Sequence, residues 1–315
     1  MGEGMAEGDE LHEILRRIVP TDTRFRRRMR LHQAWWRAKQ GFGFGRDRAG
    51  ELGSLLSPED AEAGRNFLTA GIAELAKRSV SRHIEPKRLK SNLLSSQPMA
   101  FNLLGPLSIQ PDLARKLLEP MIGESLFVAS VELEFTPENK AANLNDETSF
   151  DALIRYVTRE GANGLIAVET KLSEAFSPVT ATTKADRPIY REVSVESGRY
   201  VDPYAPVLAT SECWQMWRNH LLAEKYCENS CPPGTLVQSW VIRHQDDCDS
   251  AASIAKYREC LAEPERHFRE WTLKEIVDLW SAHVPQDHGR WLNAFHERYV
   301  DLSGSTKLAM LSRSI

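Results

Sequence analysis

Apolar residues recur every three or four positions through the first 120 residues, then begin to alternate near residue 126. Leu11, Ile14, Leu15 and Ile18 share one helical face until Pro20 ends the run. The spacing predicts a second helix over 22–40, closed by Gly41-Phe42-Gly43-Phe44-Gly45, which reads as a flexible turn. Ser57-Pro58-Glu59-Asp60 combines a cap, a proline at the first helical position and acids at the positive end of the dipole. That helix is expected to reach about Val80. Further helices are expected from near Ser95 to Gly105-Pro106 and over 111–119.

Leu126 to Phe135, Phe150 to Val157 and Gly164 to Leu172 are rich in β-formers and follow at short intervals, which predicts an antiparallel meander. Residues 173–209, rich in Pro, Thr and Asp, read as a long loop. A helix over 211–228, a strand over Thr235–Arg243 and helices near 250–262, 272–283 and 287–300 complete the chain. The order predicts a mixed α/β core behind a helical N-terminal extension.

Composition narrows the class. Hydrophobic residues are 42% and charged residues 27% of 315, which suits an ordinary globular protein. No stretch approaches the roughly 20 apolar residues that span a bilayer. The start, MGEGMAEGDELHEIL, has no apolar segment of a secretory signal, so a cytoplasmic protein without a membrane partner is expected. The five cysteines do not suggest a disulfide framework; Cys227 and Cys231 with His220 and His244 form only a weak zinc pattern. Net charge is −4, yet residues 21–50 carry nine Arg or Lys, among them Arg26, Arg27 and Arg30, which could meet phosphates. The alternative is a set of solvated helix faces. No Walker A loop and no Gly-x-Ser-x-Gly elbow is present.

The chemistry-bearing residues are Asp151 on the second strand and Glu169-Thr170-Lys171 on the third. Residues i and i+2 of a strand share a face roughly 6.5–7 Å apart, so Glu169 and Lys171 point to one side. If the strands pair, Asp151 approaches Glu169. Two carboxylates and the Thr170 carbonyl are hard oxygen donors suited to Mg²⁺, with Mn²⁺ able to substitute. Lys171 could then hold or deprotonate the attacking water. Glu-x-Lys alone carries little weight, since Glu85-Pro86-Lys87 and Glu138-Asn139-Lys140 repeat it outside any strand. The plain alternative is a surface ion pair at a strand end. Gln215 and Arg218, three apart on a helix, could line a substrate cleft or simply form an exposed polar face.

Ser95-Ser96-Gln97, Phe101-Asn102, Glu132 and Glu134 with Phe135, Thr148-Ser149-Phe150-Asp151, and Val168-Glu169-Thr170-Lys171 followed by Ser173-Glu174 and Phe176 form a series. With Trp217-Arg218-Asn219-His220-Leu221-Leu222, the series resembles a bacterial branch of the restriction-endonuclease-like PD-(D/E)xK nucleases, over roughly residues 90–260. The resemblance implies an α/β restriction-endonuclease-like mixed β-sheet core flanked by helices over 91–265. A helical extension over 1–90 would precede it, and C-terminal helices over 266–315 would pack on it. It implies Asp151, Glu169 and the Thr170 carbonyl as metal ligands, Lys171 as the water-positioning residue and Glu134 as a further acid. Ser96 and Gln97 would line the same cleft. The implied activity is Mg²⁺-dependent hydrolysis of DNA, in restriction or defence, by a homodimer if both strands are cut. RNA as substrate and a catalytically inactive nucleic-acid-binding module are the alternatives. Thr170 stands where the family more often has Val or Ile; Thr suits a strand and the ligand is backbone, so no loss is expected.

Overall fold

The computed structural model describes residues 11–79, 85–179 and 186–311. Two compact units divide the chain. One comprises Met1–Leu103, Leu172–Glu174 and Pro285–Ile315; the other comprises Leu104–Lys171 and Ala175–Val284. Among the described residues, no helix is long and apolar enough to cross a membrane.

The first unit is built on the helix Arg24–Lys39, whose Thr23 cap accepts the Arg26 N–H through its hydroxyl. The glycine-rich segment that follows is not a flexible turn. It opens a hairpin of strands β1 (Phe44–Asp47) and β2 (Gly50–Leu56). A Cβ on Gly45 would lie 2.4 Å from the Leu56 carbonyl oxygen, so glycine is needed for the backbones to approach. The single helix expected from Ser57 to Val80 is two helices, Pro58–Glu62 and Ala70–Arg78, and Val80 lies outside the described residues. Gly64, at φ +73, stands in the left-handed region that ends the first.

Arg298, from the helix Gly289–Tyr299, is fully buried in this unit. It donates to Gln33 Oε1 at 3.2 Å, to the Asn66 carbonyl at 2.7 Å and to Asn66 Oδ1 at 2.6 Å. Its guanidinium lies 4.0 Å from the centre of the Trp36 ring. Arg30 is also buried, in a bidentate pair with Asp22 at 2.5 and 3.0 Å and bonded to Ser54 Oγ at 2.8 Å. The sequence places Arg30 among DNA-backbone contacts; its burial corrects this, because its donors tie the helix Arg24–Lys39 to Asp22 and β2. Arg26 is half-buried, paired with Asp22 and donating to the Ser173 carbonyl, while Arg27 is exposed.

His32 sits in the same interior, with Nδ1 2.9 Å from Ser305 Oγ and Nε2 3.1 Å from the Glu297 carbonyl. Burial, above all, pushes its pKa down to about 4. The folded protein therefore keeps this ring neutral while the unfolded chain protonates it near 6.5. Stability from His32 is complete above pH 6.5 and is lost as pH falls towards 4, by about 3 kcal/mol in total. Urea titrations at pH 7, 5.5 and 4.5 are expected to show this decline, and a His32→Asn variant to flatten it. An equal slope in the variant would reject the assignment.

The second unit is a five-stranded sheet in the order β3 (Leu126–Phe135), β4 (Phe150–Thr158), β5 (Asn163–Lys171), β6 (Leu236–Arg243), β7 (Phe268–Thr272). β3, β4 and β5 form the expected antiparallel meander, whereas β6 and β7 run parallel to β5. The mixed α/β class and the flanking helices agree with the sequence expectation; β7 and the helix Pro188–Ser197, inside the expected loop, do not appear in it. β5 is central and buried almost throughout, which is why its sequence is a continuous apolar run rather than an alternating one. Leu153, Leu165, Ala167, Val237 and Val241 belong to one core with Trp217, Leu221 and Tyr257. Packing of the helix Trp214–Ser230 on β5 and β6 supplies much of that core. Trp280, from the helix Leu273–Ser281, donates its indole N–H to the Leu117 carbonyl of the helix Pro111–Ile122, which packs on β3. The Tyr156 ring of β4 covers Gly164 of β5, where a Cβ would meet the ring at 2.0 Å.

Candidate active site

Register across the sheet brings the acids into one row. Leu133 pairs with Ala152 and Phe135 with Phe150, so Glu134 lies opposite Asp151. Ala152 pairs with Val168, so Asp151 comes opposite Glu169. The row ends β3, begins β4 and ends β5, at the carboxyl edge of the parallel strands, where α/β sheets offer open ground for ligands. Glu134 has φ +52, a left-handed conformation that is costly for a side chain with a Cβ.

Asp151 is held by Thr170, whose backbone N–H and side-chain hydroxyl both donate to Oδ2 at 2.7 Å. Burial raises the Asp151 carboxyl well above its ordinary range, and the negative charges of Glu169 and Glu134 raise it further. Thr170 and Lys171 act in the opposite direction without overcoming this. Three carboxyl groups thus share one row, and Asp151 resists carrying its charge there.

Glu169 and Lys171 form an ion pair at 2.9 Å, with residue exposures of 8% and 6%. A surface ion pair is therefore ruled out. Gln215, on the helix Trp214–Ser230, joins both partners: its Nε2 donates to Glu169 Oε1 at 2.6 Å and its Oε1 accepts from Lys171 Nζ at 3.1 Å. The same oxygen accepts the Ser177 N–H at 2.8 Å, tying in the segment after β5. Asn219, one turn beyond Gln215, donates to Glu169 Oε2 at 2.8 Å. The Lys171 ammonium also lies 5.0 Å from the centre of the Phe176 ring. Gln215 is buried, so the exposed polar face weighed for it does not exist. Asn219 escapes sequence inspection, although its i+4 spacing from Gln215 places it on the same helix face. The Arg218 guanidinium lies 4.3 Å from the centre of the Trp214 ring.

Leu172–Glu174, directly after β5, belong to the first unit. Glu174 accepts the Leu172 and Ser173 N–H groups through Oε2 at 3.3 and 3.2 Å, and the Ser96 N–H through Oε1 at 2.7 Å. Arg88 pairs with it at 3.3 Å. Ser96 is therefore anchored to Glu174. Gln97 is half-buried in the first turn of the helix Ser96–Ile109.

Asp151, Glu169 and the Thr170 carbonyl are oxygen donors of the kind a hard divalent cation takes. Among the described residues, no group of three or more His, Cys, Asp or Glu side chains is placed to hold a metal ion. Glu134 is thus not gathered with the other two acids into a ready three-carboxylate cage. The same finding removes the zinc pattern of Cys227, Cys231, His220 and His244. His220 is buried instead, its Nδ1 3.0 Å from the Tyr257 hydroxyl.

Replacing Gln215 by leucine tests the bridge between the acid and the lysine. Loss of hydrogen bonds to a buried charged pair is expected to cost about 1.5–3 kcal/mol of stability. Any activity that depends on Glu169 is expected to fall roughly 10–100-fold, as for outer-shell partners of metal ligands. Unchanged stability and turnover in Gln215→Leu would show that the bridge has no role.

A family model of the PD-(D/E)XK nuclease superfamily matches residues 20–301, most of the chain. No curated protein and no solved structure matches it.

Proposed function

Because the chain belongs to the PD-(D/E)XK nuclease superfamily, we propose that it hydrolyses DNA phosphodiester bonds with a divalent metal ion, Mg²⁺ or Mn²⁺. The observation that carries this reading is the buried Glu169–Lys171 pair beside Asp151, an arrangement with no evident purpose in an inert sheet. Nucleases of this superfamily typically use divalent metals. Asp151, Glu169 and the Thr170 carbonyl are the proposed ligands. Held there, such an ion would supply Lewis-acid polarisation of a phosphoryl oxygen and a lowered pKa for water.

The protein's own residues do the rest. Asp151 is pinned by Thr170, so its free oxygen is presented without rotational search. Gln215 and Asn219 hold the Glu169 carboxylate in one orientation. Lys171, held by Glu169 and Gln215, orients the attacking water and offsets charge that develops on the phosphate. Arg27, exposed on its helix, and Arg26 are the proposed phosphate contacts, which position the backbone without reading bases.

Labelled oligonucleotides decide the substrate. Duplex DNA, single-stranded DNA and RNA of one sequence are incubated with Mg²⁺, Mn²⁺ or EDTA. DNA is expected to be cut with metal and left intact with chelator. Cleavage of RNA alone would transfer the reaction to RNA, and binding without cleavage in any condition would identify an inactive binding module.

A further inference from the structure

Three arginines of the second unit lie against aromatic rings of the helices Pro188–Ser197 and Trp214–Ser230. The Arg187 guanidinium is 5.4 Å from the centre of the Tyr190 ring, Arg191 is 4.6 Å from Trp217, and Arg218 is 4.3 Å from Trp214. Two of the three are answered by acids. Arg187 pairs with Asp146 at 3.5 Å and Arg191 with Asp186 at 2.6 Å. Arg218 differs: among the described residues it makes no ion pair and no hydrogen bond, and its Nε is enclosed without an acceptor. The residue is half-buried, and its two terminal nitrogens are not among the enclosed atoms, so they open to solvent. Trp214 is 4% exposed, and its indole N–H is likewise enclosed without an acceptor. The two side chains thus bring donors to this spot and no acceptor.

A cation drawn partly out of water without a counter-charge is unfavourable, and folded proteins leave few enclosed donors unanswered. What satisfies such a site is an oxyanion. The flat guanidinium fork matches two oxygens of a phosphate, and the Trp214 ring already holds it in place, so little side-chain freedom is lost when the anion arrives. Position narrows the choice further. Arg218 is three residues from Gln215, which bridges Glu169 and Lys171, and precedes Asn219, which holds the other Glu169 oxygen. Three residues of a helix rise roughly 4.5 Å. Each strand of a nucleic acid carries a negative charge about every 3.4 Å along the axis, so phosphates follow one another at a comparable interval.

We propose that Arg218, seated on Trp214, binds a phosphate group of the nucleic-acid strand next to the phosphate that is cut. The inference rests on the nuclease reading above and adds a substrate-binding residue to it. Arg187 and Arg191 do not share the role, because carboxylates already hold them. Arg218 fixes the strand on the helix that also orients Glu169 and Lys171, and it takes no part in the bond-breaking step.

The test uses the full chain and the fluorescence anisotropy of labelled duplex DNA, single-stranded DNA and RNA of one sequence, in EDTA at several salt concentrations. Wild-type protein is compared with Arg218→Ala and with Arg218→Gln, which keeps most of the side-chain stem on Trp214; melting curves establish that both are folded. At low salt each variant is expected to bind roughly 10–100-fold more weakly, the size of a lost hydrogen bond to a charged group. The slope of log affinity against log salt is expected to fall by about one, and equally for every base sequence. In metal-dependent cleavage KM rises while kcat changes little. A folded Arg218→Gln protein with wild-type affinity and slope, beside intact wild-type cleavage, would overturn the proposal and leave the nuclease reading standing. A lower melting temperature with an unchanged slope would reduce Arg218 to packing on Trp214 and overturn it equally. Wild-type protein that neither binds nor cuts any of the three would remove the nuclease reading, and this proposal with it.

Discussion

Lys171→Ala is expected to lower cleavage by roughly 10³-fold, the size expected when a group that orients the nucleophile and stabilises developing charge is removed. The same substitution strips the cation from a buried pair, and among the described residues Glu169 then keeps Gln215 and Asn219 as its side-chain donors. Breaking a buried pair from one side costs about 3–5 kcal/mol. Loss of activity must therefore be separated from loss of fold. Circular dichroism and a melting curve do this for Lys171→Ala. Lys171→Met with Glu169→Gln removes both charges, and is expected to restore stability but not activity. A folded Lys171→Ala protein that cuts at the wild-type rate would remove Lys171 from the chemistry.

Arg298→Ala is expected to have a comparably large effect on stability, about 3–5 kcal/mol. Among the described residues no carboxylate pairs with this guanidinium. Its three donated bonds go to neutral oxygens of Gln33 and Asn66, and its flat face covers the Trp36 ring. Burial accordingly lowers its pKa. Truncation leaves Asn66 and Gln33 oxygens buried without this donor and opens a cavity beside Trp36. Arg298→Met fills most of the space and removes the buried charge, so its loss is expected to be smaller. The two variants are compared by urea unfolding, and a cost under about 1 kcal/mol for alanine would contradict the role.

How far the sequence reaches depends on what carries each feature. β3, β4 and β5 are legible because alternation and an apolar run are local signals, and the side on which Glu169 and Lys171 stand follows from the two-residue period. That Asp151 faces Glu169 depends on register, which three consecutive strands suggest but do not state. Asn219 is silent because it lies 50 positions from Glu169 and its meaning comes only from how a helix sits on β5 and β6. The missed strands β1, β2 and β7 are short and carry glycine or charge, so their pairing is decided by partners rather than propensity. A basic run does not reveal that Arg30 is the arginine that turns inward. Asp22, eight residues earlier, decides that.

Metal-dependent nicking of supercoiled plasmid by the purified full chain, with Asp151→Asn as control, tests the central claim most directly. Nicking with Mg²⁺ or Mn²⁺ that is abolished by EDTA and by the substitution is the expected result. Plasmid left intact by folded wild-type protein under every metal condition, or nicking that persists unchanged in Asp151→Asn, would contradict the account.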